Sequence, residues 1–179
     1  MSDTVTLRPV REDDLPLLER LHLEPGESGP FQWFGWSPPG RLRRAWEATG
    51  LLDDNQGQLT VCRGQEAIGF VSWRRQQTGP VSHCWDTGIT LAPGARGHGL
   101  GTQAQRLLVD YLLRTTLVNR VTAETDVANH AEQRALEKAG FTKEGVLRGH
   151  QFRDGQWRDL VLYSVLRSEW QPVDDGVAR

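Results

Sequence analysis

Apolar and polar positions change rhythm several times along the chain, and each change marks a new element. Over residues 4–10, "TVTLRPV", apolar and polar residues alternate, the period of a half-buried strand. "REDDLPLLERLHL" (11–23) carries Glu12, Asp13 and Asp14 in its opening turn and leucines behind them, which predicts a helix with acids at its positive end. "EPGESGPFQWFGWSPPG" (24–40) is broken by glycine and proline and reads as a loop, although an aromatic one. "RLRRAWEATGLL" (41–52) predicts a second short helix. "GQLTVCR" and "AIGFVSWRRQ", joined by "GQE", predict an antiparallel hairpin, and "HCWDTGITLA" (83–92) a further strand. From 100 to 114, Leu100, Ala104, Leu107, Leu108, Tyr111 and Leu112 recur at helical spacing. "NRVTAETDV" (119–127) predicts a strand. "NHAEQRALEKAGF" (129–141) predicts a helix with Asn129 as its N-cap and Gly140 as its stop. Two strands around "DGQ" follow.

The order βααβββαβαββ is mixed α/β (α+β) with a central antiparallel meander. With 179 residues it suits one domain over 1–170, with 171–179 expected to be a flexible tail. A formal net charge of −2 and a pI near 6.2 leave no electrostatic footprint for nucleic acid. No apolar run approaches the ~20 residues of a membrane span, and "MSDTVTLRPV" does not read as a signal peptide. Cys62 and Cys84 fall in predicted strands without CxxC spacing, which predicts reduced core thiols in a cytoplasmic protein. No set of His, Cys and carboxylate residues shows ligand spacing, so no metal is expected. Arginine outnumbers lysine heavily, Lys138 and Lys143 being the two lysines, a bias that suits a GC-rich genome.

The chemistry begins at "LAPGARGHGLGTQAQRLLVDYL" (91–112). Gly97, Gly99 and Gly101 stand where a helix starts, although glycine costs a helix interior roughly 1 kcal/mol against alanine. A strand, a glycine-rich turn and a helix N-terminus aim unpaired N–H groups and a positive dipole end at one point, which suits phosphate. The lysine and hydroxyl of a Walker loop are missing, and the spacing is not that of GxGxxG. What remains is Arg96-x-x-Gly99-x-Gly101-Thr102. This motif resembles the acyl-CoA pyrophosphate loop of the GNAT superfamily of N-acetyltransferases. "LRPVREDDLPLL" and the stretch from "NHAEQRALEKAGF" to "LVLYSVLRSEW" are similar to the branch containing the ribosomal-protein-alanine N-acetyltransferases, the RimJ/RimL-like group. The likeness covers roughly residues 4 to 170.

The resemblance implies a GNAT fold, a mostly antiparallel, splayed sheet of about seven strands flanked by about four helices. It implies acetyl-CoA as acyl donor. The loop Arg96, Gly97, His98, Gly99, Leu100, Gly101 and Thr102 would cradle the pyrophosphate through its amides. Backbone groups of Ile89 to Leu91 would hold the pantetheine arm, laid like an extra strand where two strands splay. Asn129 would contact the arm as well as cap its helix.

Aminolysis of a thioester needs a base for the amine, a donor for the oxyanion and, usefully, an acid for the thiolate. Asp86, in "Asp86-Thr87-Gly88", stands where many relatives have Glu-x-Gly and is the first candidate base, with a solvated surface carboxylate as the alternative. His83 has the better intrinsic pKa but opposite parity on the strand, so the two should face apart. Glu124 is a further fallback base. The branch commonly has a serine three residues after the capping asparagine, and other GNAT members a tyrosine further on. This chain has Glu132 and Leu136 there. Acid work would then fall to water, to Glu132 if held neutral, or to a tyrosine such as Tyr163.

The acceptor, a small-molecule amine or a protein N-terminus, should lie between the first two helices and the C-terminal hairpin. Phe31, Trp33, Phe34 and Trp36 of "FQWFGW" serve there either as core or as a pocket wall. His150, Arg153 and Asp154 would add polar selectivity. A homodimer is compatible with the resemblance. A CoA-binding sensor that has lost catalysis is the rival reading, supported by the missing serine and tyrosine.

Overall fold

The computed structural model describes residues 4–173. Seven strands form one sheet: β1 (Val5–Pro9), β2 (Gln56–Arg63), β3 (Glu66–Gly79), β4 (Ser82–Leu91), β5 (Arg120–Asp126), β6 (Thr142–Arg153) and β7 (Gln156–Leu166). Their order is β1-β2-β3-β4-β5-β7-β6. Neighbours run antiparallel except β4 and β5, which are parallel. The β6–β7 turn places Asp154 (φ 51°) and Gly155 (φ 73°) in the left-handed region, the backbone that a two-residue hairpin needs.

Five α-helices cover the sheet: α1 (Leu15–Leu23), α2 (Pro25–Ser28), α3 (Arg41–Thr49), α4 (Leu100–Thr115) and α5 (His130–Lys138). About four were expected. The extra one is α2, a single turn started by Pro25 inside the segment read as loop, too short to carry a periodic pattern. The helix expected from residue 11 opens as a 3-10 turn over Glu12–Asp14 before α1. The one expected to run to 52 stops at Thr49, because Gly50 (φ 65°) and Leu51 (φ 61°) are left-handed.

The two faces of the sheet bury different partners. On one, Leu100, Ala104, Leu107, Leu108 and Leu112 of α4 pack on Val71, Trp73, Trp85, Val121 and Tyr163. On the other, Leu15, Leu18 and Leu21 of α1 pack on Val10 and Phe70, with Leu42 and Trp46 of α3 at the margin. Cys62 and Cys84 are buried free thiols, as the strand pattern predicts. The chain beyond 170 departs from expectation at its start. Val173 donates to Asp110 and accepts from Arg114 of α4, so 171–173 are tied to the domain, while 174–179 lie outside the described residues. Among the described residues no helix is long and apolar enough to cross a membrane.

Candidate active site

The site follows from how β4 and β5 part. Their pairing is limited to Trp85↔Val121, Asp86↔Thr122 and Thr87↔Ala123, although β4 runs on to Leu91 and β5 to Asp126. The Ala92 amide donates to the Ile68 carbonyl, which fixes the phase of the β3–β4 ladder. Backbone groups of Asp86, Gly88 and Thr90 therefore point at β3, and those of Thr87, Ile89 and Leu91 point toward β5. Past Thr87, β5 is no longer alongside. The result is a wedge with strand-like backbone groups along one wall.

The wedge opens at the glycine loop. Gly97 (φ 81°) and Gly99 (φ 75°) adopt left-handed backbone, which explains glycine at both. Gly101 has no such need, since a Cβ there would meet Leu91 and Ile89 side chains at 3.6 and 3.8 Å, ordinary contact. Gly99 is the N-cap of α4 and offers no side chain, so the first amides of the helix remain as donors. A Cβ on Gly97 or Gly99 would meet nothing within 4 Å. The loop thus fits an anionic group approaching its backbone. Arg96 turns the other way. Its guanidinium donates to the carbonyls of Leu91, at 2.8 Å from Nε, and of Glu27, bracing the loop against the segment after α1. His98 and Thr102 flank this loop on the solvent side and at the helix start.

A cleft of about 620 Å³ lies on the α1–α3 side of the sheet beside the wedge. Asp86, Glu124, Asn129, Arg74, Phe31 and Phe34 all line it. A second hollow of about 540 Å³, beside Asp14 and Arg63 on the far flank of α1, holds none of the candidate site residues. The Asp86 side chain is 11% exposed and meets the Arg74 guanidinium at 2.7 Å. Burial pushes its pKa above the ordinary carboxylate value. Arg74 pulls it back and Glu124 adds to the push, leaving it raised. Glu124 in turn is 3.3 Å from His150 Nε2.

The other candidates separate. His83 stacks edge-on against Trp85, on the α4 face, away from the cleft that Asp86 lines. Burial and then Arg75 lower its pKa. Trp33 donates to the Leu23 carbonyl at 3.2 Å and packs edge-on with Trp36, which is 76% exposed. Phe31 lines the cleft, whereas His150 stands on the neighbouring hairpin behind Glu124. Arg153, read as a selectivity residue, is instead a clamp. It is 5% exposed, ion-paired with Asp126, and donates to the Phe31 carbonyl at 3.1 Å. Asp154 sits in the hairpin turn. Tyr163 is fully buried and donates to Glu137. Burial, reinforced by Glu137, pushes its pKa to about 12, which unfits it as an acid at neutral pH.

Asn129 caps α5, its Oδ1 accepting from the Glu132 amide at 3.3 Å. Glu132 faces Gln105 of α4 across the gap between the two helices, and burial pushes its pKa to about 7 against the slight opposing effect of Gln105. Folding favours the protonated form, so this contribution to stability is full below pH 4.5 and is lost as pH rises through about 7. Glu132→Gln is expected to flatten that part of the stability profile by about 1–3 kcal/mol. Denaturation midpoints measured from pH 4 to 8 check it, and a parallel decline in the variant would contradict it.

Gln32, Arg74 and the Arg153–Asp126 pair carry no motif in the sequence. Their partners are distant, as with Gln32 and Ile89, 57 residues apart.

Fold and site together define a sheet protein with a strand-like slot and a glycine-capped helix start, its first amides left as donors, beside a cleft lined by Asp86, Glu124 and Asp126. The Acetyltransferase (GNAT) domain model matches residues 4–142. This chain belongs to the GNAT acetyltransferase family. It is 35% identical over 176 residues to the "Probable N-acetyltransferase YjcK" of Bacillus subtilis, covering 93% of this chain and 96% of that protein. It is 30% identical over 123 residues to the [ribosomal protein uS5]-alanine N-acetyltransferase of Escherichia coli, a match over 69% of this chain but 59% of that enzyme's length. Among solved structures, spermidine N-acetyltransferase from Vibrio cholerae in complex with CoA and spermine superposes with a TM-score of 0.78 at 19% identity, covering 93% of this chain and 97% of that one. Mycobacterium smegmatis RimJ in complex with CoA-disulfide superposes at 0.74 and 22% identity, over 92% and 83%. These two share the fold.

Proposed function

We propose that this chain is a cytoplasmic N-acetyltransferase that moves an acetyl group from acetyl-CoA directly to a primary amine within a ternary complex. The observation that carries this reading is the unpaired run of β4 beyond Thr87, opening beside the left-handed glycines at the start of α4. The backbone of Ile89 and Leu91 would hold an extended, amide-bearing arm. The amides from Gly97 to Thr102 would hold its phosphates. Bound acetyl-CoA supplies an acetyl group already activated as a thioester.

The chain's own groups handle the protons. Asp86, made more basic by burial, takes the proton of the entering amine directly or through one water. Glu132, half-protonated near pH 7, offers a proton to the departing sulfur. Leu136, where other family members place a tyrosine, is fully buried and can offer none. Direct transfer is supported by both cysteines, which are buried with pKa values pushed up by desolvation and so hold no thiolate to carry an acyl group.

The acceptor reading follows from charge. Each acid around the amine position already has a nitrogen partner: the guanidinium of Arg74 for Asp86, the imidazole of His150 for Glu124 and the guanidinium of Arg153 for Asp126. Exposed Phe34 and Trp36 stand at the rim. This suits a single amine followed by apolar or aromatic groups, a peptide N-terminus or a flat small molecule, better than a polycation. Thiol release from acetyl-CoA with a panel of peptides, arylalkylamines and polyamines tests it. Turnover with none of them would favour a CoA-binding sensor.

Thr102→Glu separates the phosphate loop from the fold. An acid in the first turn of α4 favours the helix by about 0.3–1 kcal/mol. Thermal stability is therefore expected to hold or rise, while acetyl-CoA affinity falls at least about tenfold through charge repulsion at short range. Calorimetric titration checks this, and unchanged affinity in the folded variant would remove the pyrophosphate assignment.

A further inference from the structure

One side chain reaches into the wedge from the acceptor side. Gln32, on the segment after α2, donates from Nε2 to the Ile89 carbonyl at 2.8 Å, and Thr90 Oγ1 donates to its Oε1. That carbonyl points away from β3, into the gap that β5 has left. The carboxamide therefore makes the bond that a neighbouring strand's peptide group would make there. Residues on both flanks hold the same segment. Arg96 ties Glu27 to the end of β4 by donating to both Glu27 and Leu91 carbonyls. Arg153 ties Phe31 to the end of β5 through Asp126. Residues 27–32 thus cross the open end of the slot.

The ties differ in kind. Arg153 is deeply buried and charge-paired, so releasing it is costly. Gln32 is neutral and more than a third exposed, and its side chain is held through the end group, so that group exchanges partners readily while the backbone amide stays on the Gly29 carbonyl. A ligand with secondary amides, extended along β4, needs that same Ile89 carbonyl.

We propose that Gln32 is a displaceable latch on the donor slot, giving up the Ile89 carbonyl to an amide N–H of the donor's arm and thereby freeing Phe34–Trp36, between the anchored Trp33 and α3, to close on the acceptor. The inference rests on the acetyl-CoA reading above. Hydrogen bonds of ordinary net worth hold the latch, enough to keep it closed about nine-tenths of the time. With about one-tenth of the protein open, the donor's apparent affinity is lowered about tenfold.

Gln32→Met keeps the length of the side chain and removes both bonds. Binding is measured by calorimetry with desulfo-CoA, which has the arm, and with adenosine 3′,5′-bisphosphate, which lacks it. The variant is expected to bind desulfo-CoA about five- to tenfold more tightly than wild type and the bisphosphate equally. Thr90→Val, which removes the bond to Oε1, should give a smaller gain for desulfo-CoA in the same direction. With 5-fluorotryptophan incorporated, the Trp33 and Trp36 fluorine resonances should move when desulfo-CoA, but not the bisphosphate, is added to wild type. In Gln32→Met they should start near the moved positions. Equal or weaker desulfo-CoA binding by Gln32→Met, or an equal gain for the bisphosphate, overturns the latch. A wild-type protein that binds neither probe overturns the donor reading itself, and the latch with it.

Discussion

Asp86→Asn is expected to lower turnover by about 10²–10⁴-fold on a good amine acceptor, the range in which general acid–base catalysis contributes. Acetyl-CoA affinity should change little, because in the proposed reading backbone groups of β4 and of the α4 loop would carry that site. The asparagine keeps the shape of the side chain but cannot accept a proton. Its residual rate should rise with pH as more amine arrives deprotonated. In wild type the acid limb of the rate profile should sit above the ordinary aspartate range, since burial and Glu124 outweigh Arg74 at this carboxylate. Arg74→Met removes the opposing cation, so the limb should move to higher pH still. Steady-state kinetics across pH 5–9 measure both. Near wild-type turnover by Asp86→Asn at every pH would make Asp86 structural and turn attention to Glu124 and His150.

Arg153→Met should produce the largest loss of stability, about 3–5 kcal/mol, because it strands a charge rather than deleting a contact. Asp126 is 6% exposed, with one carboxylate oxygen accepting from the Ala128 amide at 2.8 Å and the other on Arg153. Burial alone would raise its pKa. The Ala128 amide and the guanidinium outweigh burial and hold it below the usual value, so wild-type stability from this group is present above that range and is lost as pH falls through the depressed pKa. In the variant the balance reverses, and the penalty should shrink at low pH as Asp126 takes up a proton. Adding Asp126→Leu to Arg153→Met should recover most of the loss at pH 7. Chemical denaturation of the four proteins of this cycle gives the coupling. A single-variant loss below 1 kcal/mol at pH 7 would mean that water replaces the guanidinium.

The elements were legible because they have local causes. Alternation marked β1, two strand-like runs joined by a short turn marked the β2–β3 hairpin, leucine spacing marked α4, and Asn129 and Gly140 bracketed α5. The opposite parity of His83 and Asp86 was also readable, since side chains alternate across a strand. The ring of His83 packs on Trp85, and Asp86 lines the cleft. Gly97 and Gly99 were visible as oddities before their left-handed backbone gave the reason. Arg153 was read as a selectivity residue, and its role as a buried clamp was not legible. It stands beside a hairpin turn, where arginine usually reaches solvent, and only the three-dimensional fold brings Asp126 beneath it. Gln32 was hidden among the aromatic residues around it, for the same reason. A side-chain tie across 57 residues leaves no period.

Mechanically, the sheet is two stiff plates, of four strands and of three, joined along a seam of Trp85–Thr87 against Val121–Ala123. Each plate is braced by long hairpins, whereas the seam has three residue pairs with α4 packed across it, so any flexing of the sheet there would change the angle of the slot. A molecule laid in the slot and bonded to both walls works as a rivet. On the proposed donor reading, stiffness along that line would belong to the loaded complex more than to the chain, and would come and go with each acyl donor bound there.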